Sequence, residues 1–301
     1  MQMQHFEYHV ASLVRVWGED ALPYLQSQLS VDLYKFAIGS TRLGLRLSLK
    51  GKILLSAQII RSGEEEFILV CQDFSAEHVI SLLEENVVAD EVEFEIVAGN
   101  WMASHLHHPA AYDPALEKIG LEKIEVGCAH QHEAGWVYID PLLPPCCLTV
   151  LYSLENSPSW KANLIPSDPS TLELMRLQAG LYRPVLELGK DEFPQEGGLE
   201  KIAVDFDKGC YLGQEVMARI HAMGNVRKQA VAVKSREVHQ ELLPLTLLNE
   251  QKKVGSLKSQ FPLPGKKEWI GAAVIHENSI SILKNEGLQI EGSGETIYPL
   301  Q

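Results

Sequence analysis

At 301 residues, with 46% hydrophobic and 22% charged side chains, the chain has the make-up of a folded globular protein long enough for two or three domains. Its formal net charge is −14 and unevenly spread: residues 226–301 carry 10 Lys/Arg against 8 Asp/Glu, while the first 225 carry 16 against 32. Such a field argues against broad, sequence-independent binding to nucleic acid, and no apolar run reaches the ~20 residues of a membrane-spanning helix. The opening Met1-Gln2-Met3-Gln4-His5-Phe6-Glu7 has neither a basic start with an apolar stretch nor an Arg-rich amphipathic presequence, so a cytoplasmic address is the expectation. The cysteines (Cys71, Cys128, Cys146, Cys147 and Cys210) are odd in number and lack any Cys-x-x-Cys pair. That speaks against a disulfide framework and against a closed structural zinc site.

In chain order, Val10 to Trp17 alternates as a strand. Gly18-Glu19-Asp20 then opens a helix with Leu22, Leu25 and Leu29 on one stripe and Pro23 in its first turn. Arg42 to Leu49 and Lys52 to Ile60 read as a hairpin turning at Lys50-Gly51, and Glu66 to Cys71 as a further strand. Asp73 or Ser75 caps a helix carrying Val79, Leu82 and Leu83, and Val92 to Val97 closes an α+β unit. From Trp101 to Glu117 the reading is a solvated loop holding His105, His107 and His108 before Pro109, with His130 and His132 further on. The histidines show no helical i, i+4 ligand pair. Cys146 and Cys147 enter a strand pointing to opposite faces. Trp136 to Asp140 and Leu148 to Leu154 are strands of a second α+β unit. Pro166 to Ser170 ends a loop, and the helix from Thr171 to Ala179 turns Leu172, Met175 and Ala179 inward. Beyond residue 226, apolar runs at 230–233, 242–248, 269–274, 279–283 and 288–290 alternate with turn residues, the pattern of a small β-barrel.

Three constellations carry chemistry. Lys208-Gly209-Cys210-Tyr211-Leu212-Gly213-Gln214-Glu215 sets one thiol between glycines, beside a lysine and at the expected start of a helix. A helix N-terminus and an ammonium both favour thiolate; the plain alternative is a buried cysteine between turn glycines. Glu173-x-x-Arg176-x-x-x-Gly180-x-x-x-Pro184 is either a surface i, i+3 ion pair or a carboxylate aimed into a pocket, where it would accept two parallel N–H bonds from a ring amidine. Gln26 to Asp32 taken alone is an amidic helix end. Dinucleotide, Walker, nucleophile-elbow and His-Glu-x-x-His motifs are absent.

Lys208-Gly209-Cys210-Tyr211-x-Gly213-Gln214-Glu215-x-x-Ala218-Arg219 resembles the signature of the YgfZ family of folate-binding, iron–sulfur-related proteins, which is similar to the glycine-cleavage T-protein, an aminomethyltransferase. Gln28-Leu29-Ser30-x-Asp32, Gly51-Lys52-Ile53-Leu54, Glu173-x-x-Arg176-x-x-x-Gly180 and Phe193-Pro194-Gln195-Glu196 match its other landmarks, in order. The resemblance implies a three-lobed α+β ring. Two ferredoxin-like lobes, near 1–98 and 99–225 and open to interleaving, make a folate-binding region over 1–225, with a C-terminal β-barrel at 226–301. It also implies bound tetrahydrofolate or a one-carbon derivative, no stably held metal, and help in making or repairing iron–sulfur clusters, including those of tRNA-modifying enzymes. The implied partners are iron–sulfur assembly factors or client enzymes, with no direct nucleic-acid contact and no membrane.

Carried over residue by residue, Cys210 is the functional thiol, with Lys208, Gly209, Tyr211, Gly213, Gln214 and Glu215 around it. Glu173 faces the pterin and Arg176 braces it. Arg219 or Arg227 meets the glutamyl tail, and Gln28 and Asp32 stand on the cofactor side. One departure matters. The T-protein places a catalytic aspartate in the strand after the Gly-rich turn, whereas Ile53-Leu54-Leu55-Ser56-Ala57-Gln58-Ile59-Ile60 has no carboxylate. Glycine-cleavage chemistry is therefore disfavoured. A one-carbon transferase with another amine substrate, or a folate module without chemistry, remain the rival readings.

Overall fold

The computed structural model describes residues 4–107, 124–132, 135–144, 147–164, 166–224, 226–236 and 243–300. Strand β1 (Gln4–His9) is followed by β2 (Ser12–Trp17), helix α1 (Ala21–Gln28), the hairpin β3 (Thr41–Leu47) and β4 (Ile53–Arg61), then β5 (Glu66–Cys71), α2 (Ala76–Glu84) and β6 (Glu93–Ile96). The order β3-β4-β5-β2-β6 makes one antiparallel sheet. Side chains alternate across a strand, and here both faces of the sheet are used. Val14, Val16, Ile59, Phe67 and Leu69 meet α1 and α2 through Leu25, Val79 and Leu83. Leu13, Ile60, Ile68 and Val70 point the other way, onto Trp101, Ala103, Tyr138 and Leu151 of a second sheet. Ser75 caps α2 by accepting from the His78 N–H at 3.3 Å.

The second sheet consists of β7 (Trp101–His107), β8 (Ala129–His132), β9 (Gly135–Tyr138) and β10 (Cys147–Ser153), in the order β1-β7-β10-β9-β8. Its edge strand is thus the first strand of the chain, paired to β7 from Gln4–His107 to His9–Met102. The first part of the expected loop is a correction: Trp101–His107 is the strand β7, between β1 and β10, and residues 108–117 lie outside the described residues. His105 is fully buried, its Nδ1 2.9 Å from Thr149 Oγ1, and burial holds its pKa well below the ordinary value so that it stays neutral. His130 and His132 lie on β8, and His108 and Cys146 fall outside the described residues. Among the described residues no three His, Cys, Asp or Glu side chains converge as a metal site.

Helix α3 (Pro169–Gln178), capped by Asp168, leads through an irregular segment to α4 (Glu200–Ala203) and α5 (Gln214–Met223). A second correction concerns α3. Its inward face carries Leu172, Glu173, Arg176 and Leu177, while Met175 is half-buried and Ala179 is exposed. The barrel follows with β11 (Lys228–Ser235), β12 (Leu245–Asn249), β13 (Lys252–Leu257), β14 (Phe261–Pro262), β15 (Trp269–His276), helix α6 (Ile280–Asn285), β16 (Leu288–Ile290) and β17 (Thr296–Pro299). Six strands close in the order β11-β17-β16-β12-β13-β15, because β15 pairs back onto β11 from His276–Lys228 to Trp269–Ser235. Short β14 adds to β15 outside the circuit. The apolar run at 279–283 is therefore mostly helix, with Leu283 buried against the barrel core. A third cluster joins Leu43, Leu45 and Leu47 of β3 to Leu177, Tyr182 and Leu199, and to Ala272 and Val274 of the barrel, so the three lobes pack as one body.

Candidate functional site

Arg176 organises the centre. Its guanidinium has five N–H donors and all five have acceptors. Nε bonds Glu173 Oε2 at 3.0 Å, while the terminal nitrogens bond Glu173, both oxygens of Glu187 at 2.8 and 2.9 Å, and the Leu181 carbonyl. Glu187 also accepts from the Arg183 N–H at 2.8 Å and from Ser259 Oγ at 2.7 Å, and Ser259 Oγ accepts from the Ala272 N–H. Glu173 spends its second oxygen on Arg183, at 3.2 Å. Two guanidinium and two carboxylate groups thus neutralise one another inside the protein, as a buried ionic cluster must if its desolvation is to be offset.

Arg183 carries that cluster to the edge of a small cavity of about 20 Å³, in which Ser56, Gln58, Gln72, Asp73 and Asp140 stand among apolar walls of Leu43, Val70, Tyr138 and Leu142. Asp140 is buried. It accepts from the Leu142 N–H at 2.9 Å and from Gln72 Nε2 at 3.2 Å, and burial still raises its pKa against these bonds and the pull of Arg183. Gln72 Nε2 also donates to Tyr8 OH. Gln58 Nε2 donates to Thr41 Oγ1 at 2.8 Å, while its Oε1 is buried without a hydrogen-bond partner among the described residues. Asp73 faces solvent on one side and crowding protein on the others. That crowding raises its pKa, Arg183 opposes the rise, and the Glu173 and Glu187 charges add to it. Asp73 also lines a much larger cavity, about 680 Å³, whose walls are Ile53, Leu54, Phe74, Leu82, Val185, Leu186, Leu243 and Pro244, with Lys190, Glu192 and Lys258 among them. Volumes of ~300–1,000 Å³ with apolar walls and a few convergent polar groups are those of small-molecule sites.

The thiol loop lies elsewhere. Helix α5 begins at Gln214, not at the cysteine, and Gly213 is its N-cap with φ +80°. A Cβ there would stand 2.5 Å from the Ser48 carbonyl oxygen, so glycine is required by the close approach of the β3–β4 turn. Cys210 is exposed, and a Cβ on Gly209 would meet nothing within 4 Å. Lys208 is buried. Its Nζ donates to the carbonyls of Gln26, Leu29 and Val31 at 2.7, 2.6 and 2.8 Å. Burial lowers its pKa to about 8, against the raising effect of Asp32 and Asp205. With its donors so engaged, the ammonium is no partner for a thiolate at Cys210, which corrects the reading of Lys208 as its activator. Tyr211 is buried beneath Lys208, and burial pushes its hydroxyl up to about 12.

The expected residues fall into two groups. Glu173 and Arg176 sit behind Arg183 and line neither cavity. Gln28 and Asp32 support the thiol loop's surroundings: Gln28 accepts from Asn86 Nδ2, and Asp32 accepts from Gln26 and pairs with Lys35. Burial would raise the Asp32 pKa, but those bonds win and lower it. Glu215, Arg219 and Arg227 are exposed, Gln214 holds the Lys208 carbonyl at 3.2 Å, and none of them lines either cavity. Sequence reasoning missed Asp73 as a cavity residue, Asp140 and Arg183. Arg183 occupies the unspecified position just before Pro184, and a charged residue between Gly180 and a proline was the available signal.

Residues 2–122 match the family model for the GCVT N-terminal domain. The tRNA-modifying protein YgfZ of Hamiltonella defensa is 22% identical over 296 residues, 91% of this chain and 84% of that one. Together these matches support a YgfZ-like family related to the T-protein. The mitochondrial iron–sulfur cluster assembly factor IBA57 homolog of Eremothecium gossypii is 44% identical over a short stretch of 61 residues, 19% of this chain and 13% of that one. The crystal structure of the glycine cleavage system aminomethyltransferase T from Bartonella henselae superimposes with a TM-score of 0.77 at 16% identity, covering 99% of this chain and 85% of the other. The chain therefore has the T-protein fold: two sheet-and-helix lobes and a six-stranded barrel.

Two consequences can be measured. Replacing Arg176 by Met leaves buried Glu187 without a cationic side-chain partner and Glu173 with Arg183 alone, at an expected cost of ~3–5 kcal/mol in chemical denaturation. Arg176→Lys, with three donors in place of five, is expected to restore only part of it. Because the Asp140 carboxyl holds its proton more tightly folded than unfolded, folding stability through this group falls as pH rises from its ordinary value near ~3.9 through the raised one, by up to ~1.4 kcal/mol per pH unit. Asp140→Asn, which mimics the protonated group, is expected to flatten that decline in Tm measured against pH.

Proposed function

We propose that the central cavity binds a reduced folate and that the chain serves the synthesis or repair of iron–sulfur clusters in other proteins, with Cys210 as its working thiol. One observation carries the ligand reading: Asp73 lies where a small recess holding Gln58, Gln72, Asp140 and Arg183 meets a large apolar chamber bearing Lys190 and Lys258. A folate has the matching sequence of parts. Its amide and amidine edge needs both donors and acceptors, its aromatic body needs apolar walls, and its glutamyl tail needs cations. Asp73, at the mouth of the recess, suits the head, with room for about one water behind it beside Asp140; Phe74, Leu82 and Leu186 suit the body, and Lys190 the tail. Glu173 then acts through Arg183, and the lysines take the tail role first given to Arg219 and Arg227. The bound folate would supply a one-carbon carrier or a redox-sensitive ring; the residues here bind and orient it.

The iron–sulfur reading draws on the named activities of the YgfZ and IBA57 relatives together with the accessible Cys210. A lone thiolate cannot hold a cluster, so transient ligation of iron is shared with partner ligands supplied by assembly factors or clients. The transferase reading has its own support. Strand β4 lacks a carboxylate, but Asp73 and Asp140 bring two to the cavity that its Ser56 and Gln58 line.

Calorimetric titration with tetrahydrofolate is expected to give saturable binding, weakened at least ~10-fold by Arg183→Ala, in keeping with the ~1.5–3 kcal/mol of a hydrogen bond to a charged group. No binding to the wild type ends the folate reading. In a strain lacking the protein, Cys210→Ala is expected to fail to restore iron–sulfur enzyme activities, and full rescue removes the thiol role. Turnover of methylene-tetrahydrofolate with an amine acceptor would favour the transferase instead.

A further inference from the structure

Within the motif around Cys210, the side chain with the densest bonding is not the thiol but Lys208. The ammonium is buried and makes three hydrogen bonds, all to main-chain carbonyls: Gln26 in the last turn of α1, and Leu29 and Val31 in the segment that leaves it. Carbonyls at a helix C-terminus lack intrahelical donors and form the negative end of the helix dipole, so a cation is the fitting group there. The same segment is stitched to the stretch before the thiol loop by other bonds. Asp205 N–H donates to the Ser30 carbonyl at 2.9 Å, Ser30 Oγ bonds the Ala203 carbonyl, and Asp32 N–H bonds Asp205 Oδ2 at 2.7 Å.

We propose that Lys208 is the positioning residue of the thiol loop: its ammonium clamps the loop to the end of α1, so that Cys210 is presented to solvent from a fixed frame. The loop is fastened on both sides of the cysteine and free only at its middle. After Lys208, the Leu212 N–H bonds the Ser27 carbonyl at 3.3 Å, Gly213 packs on the Ser48 carbonyl, and Gln214 Nε2 returns to the Lys208 carbonyl. Between those anchors Gly209 has open space around it and Cys210 is exposed. A tetrahedral ammonium suits three acceptors converging from different directions; a planar guanidinium does not. This inference rests on the reading of Cys210 as the working thiol for its biological meaning, but not for its test.

The test compares wild type with Lys208→Met by peptide-resolved hydrogen exchange and by site-resolved alkylation of Cys210 against pH. The expected result is exchange accelerated by about tenfold or more in peptides covering 208–214 and 26–31, with the strands of the first sheet unchanged. The pH at half-maximal alkylation of Cys210 should be the same in both proteins. An upward shift of that pH with unchanged exchange would overturn the proposal, because the ammonium would then be serving the thiolate. Unchanged exchange with an unchanged pH profile would overturn it too. If Lys208→Met loses its cooperative unfolding transition, Lys208→Gln, with two N–H donors, is read in the same way. Neither measurement depends on what Cys210 does in the cell, so failure of the clamp and failure of the thiol role separate cleanly.

Discussion

The Arg176 guanidinium is the constraint on which the centre of the molecule depends. It lies on the inward face of α3, and its two carboxylate partners come from that helix and from the segment leading away from it. Through Glu187 and Ser259 the same charge reaches the barrel, and through Glu173 and Arg183 it reaches the cavity. A buried arginine of this kind is weak evidence for stability, since an apolar replacement of similar volume can be as good. What it does achieve is geometric. Five donors on one plane fix two carboxylates, and those fix Arg183 at the cavity edge with little rotamer freedom left to lose on binding.

The two candidate sites are then different in kind. The cavity is lined by side chains whose charges are compensated or disfavoured: Arg183 is paired with Glu173, burial raises the pKa of Asp140 and Asp73, and Tyr138 is pushed well above the ordinary phenol value. Amides beside carboxyls offer both donors and acceptors, which is what a heterocyclic edge asks of its site. The thiol loop has the reverse character. Its one charge, on Lys208, is spent on main-chain carbonyls, and its reactive atom faces outward. Cys210 lines neither cavity, so the two candidate sites share no reactive side chain.

Legibility from sequence followed burial. Strand β5 was read to the residue, and the β3–β4 hairpin to within a residue or two, because alternation and the Lys50-Gly51 turn mark them. Strand β7 was misread because it is covered on both faces: Ser104 and His105 are buried beside Ala103 and Leu106, so polarity no longer reports exposure. Helix α3 failed for a related reason, its charged Glu173 and Arg176 being more deeply placed than Met175 and Ala179. In α6 a short apolar run, Ile280 to Leu283, could not be told from a strand by periodicity. The motif residues of the thiol loop were visible as a contiguous string. The cavity was not, since Gln58, Asp73, Asp140 and Arg183 come from four separate segments and meet only in the folded chain.

One hairpin nonetheless serves both sites. The turn between β3 and β4 presses Gly51 against Val216 of α5 and places the Ser48 carbonyl on Gly213. Two residues later the same strand gives Ile53 and Leu54 to the wall of the large cavity. Between them Lys52 reaches the Asp191 carbonyl at 2.9 Å and lies over the Phe193 ring, on the segment that forms the opposite wall. A residue inserted in this turn would disturb the seat of the thiol loop and the cavity wall together. Gly51 of the Gly-Lys turn and Gly213 of the Gly-Cys-Tyr-x-Gly string thus meet at one place, where the backbone beside the cavity touches the support of the thiol loop.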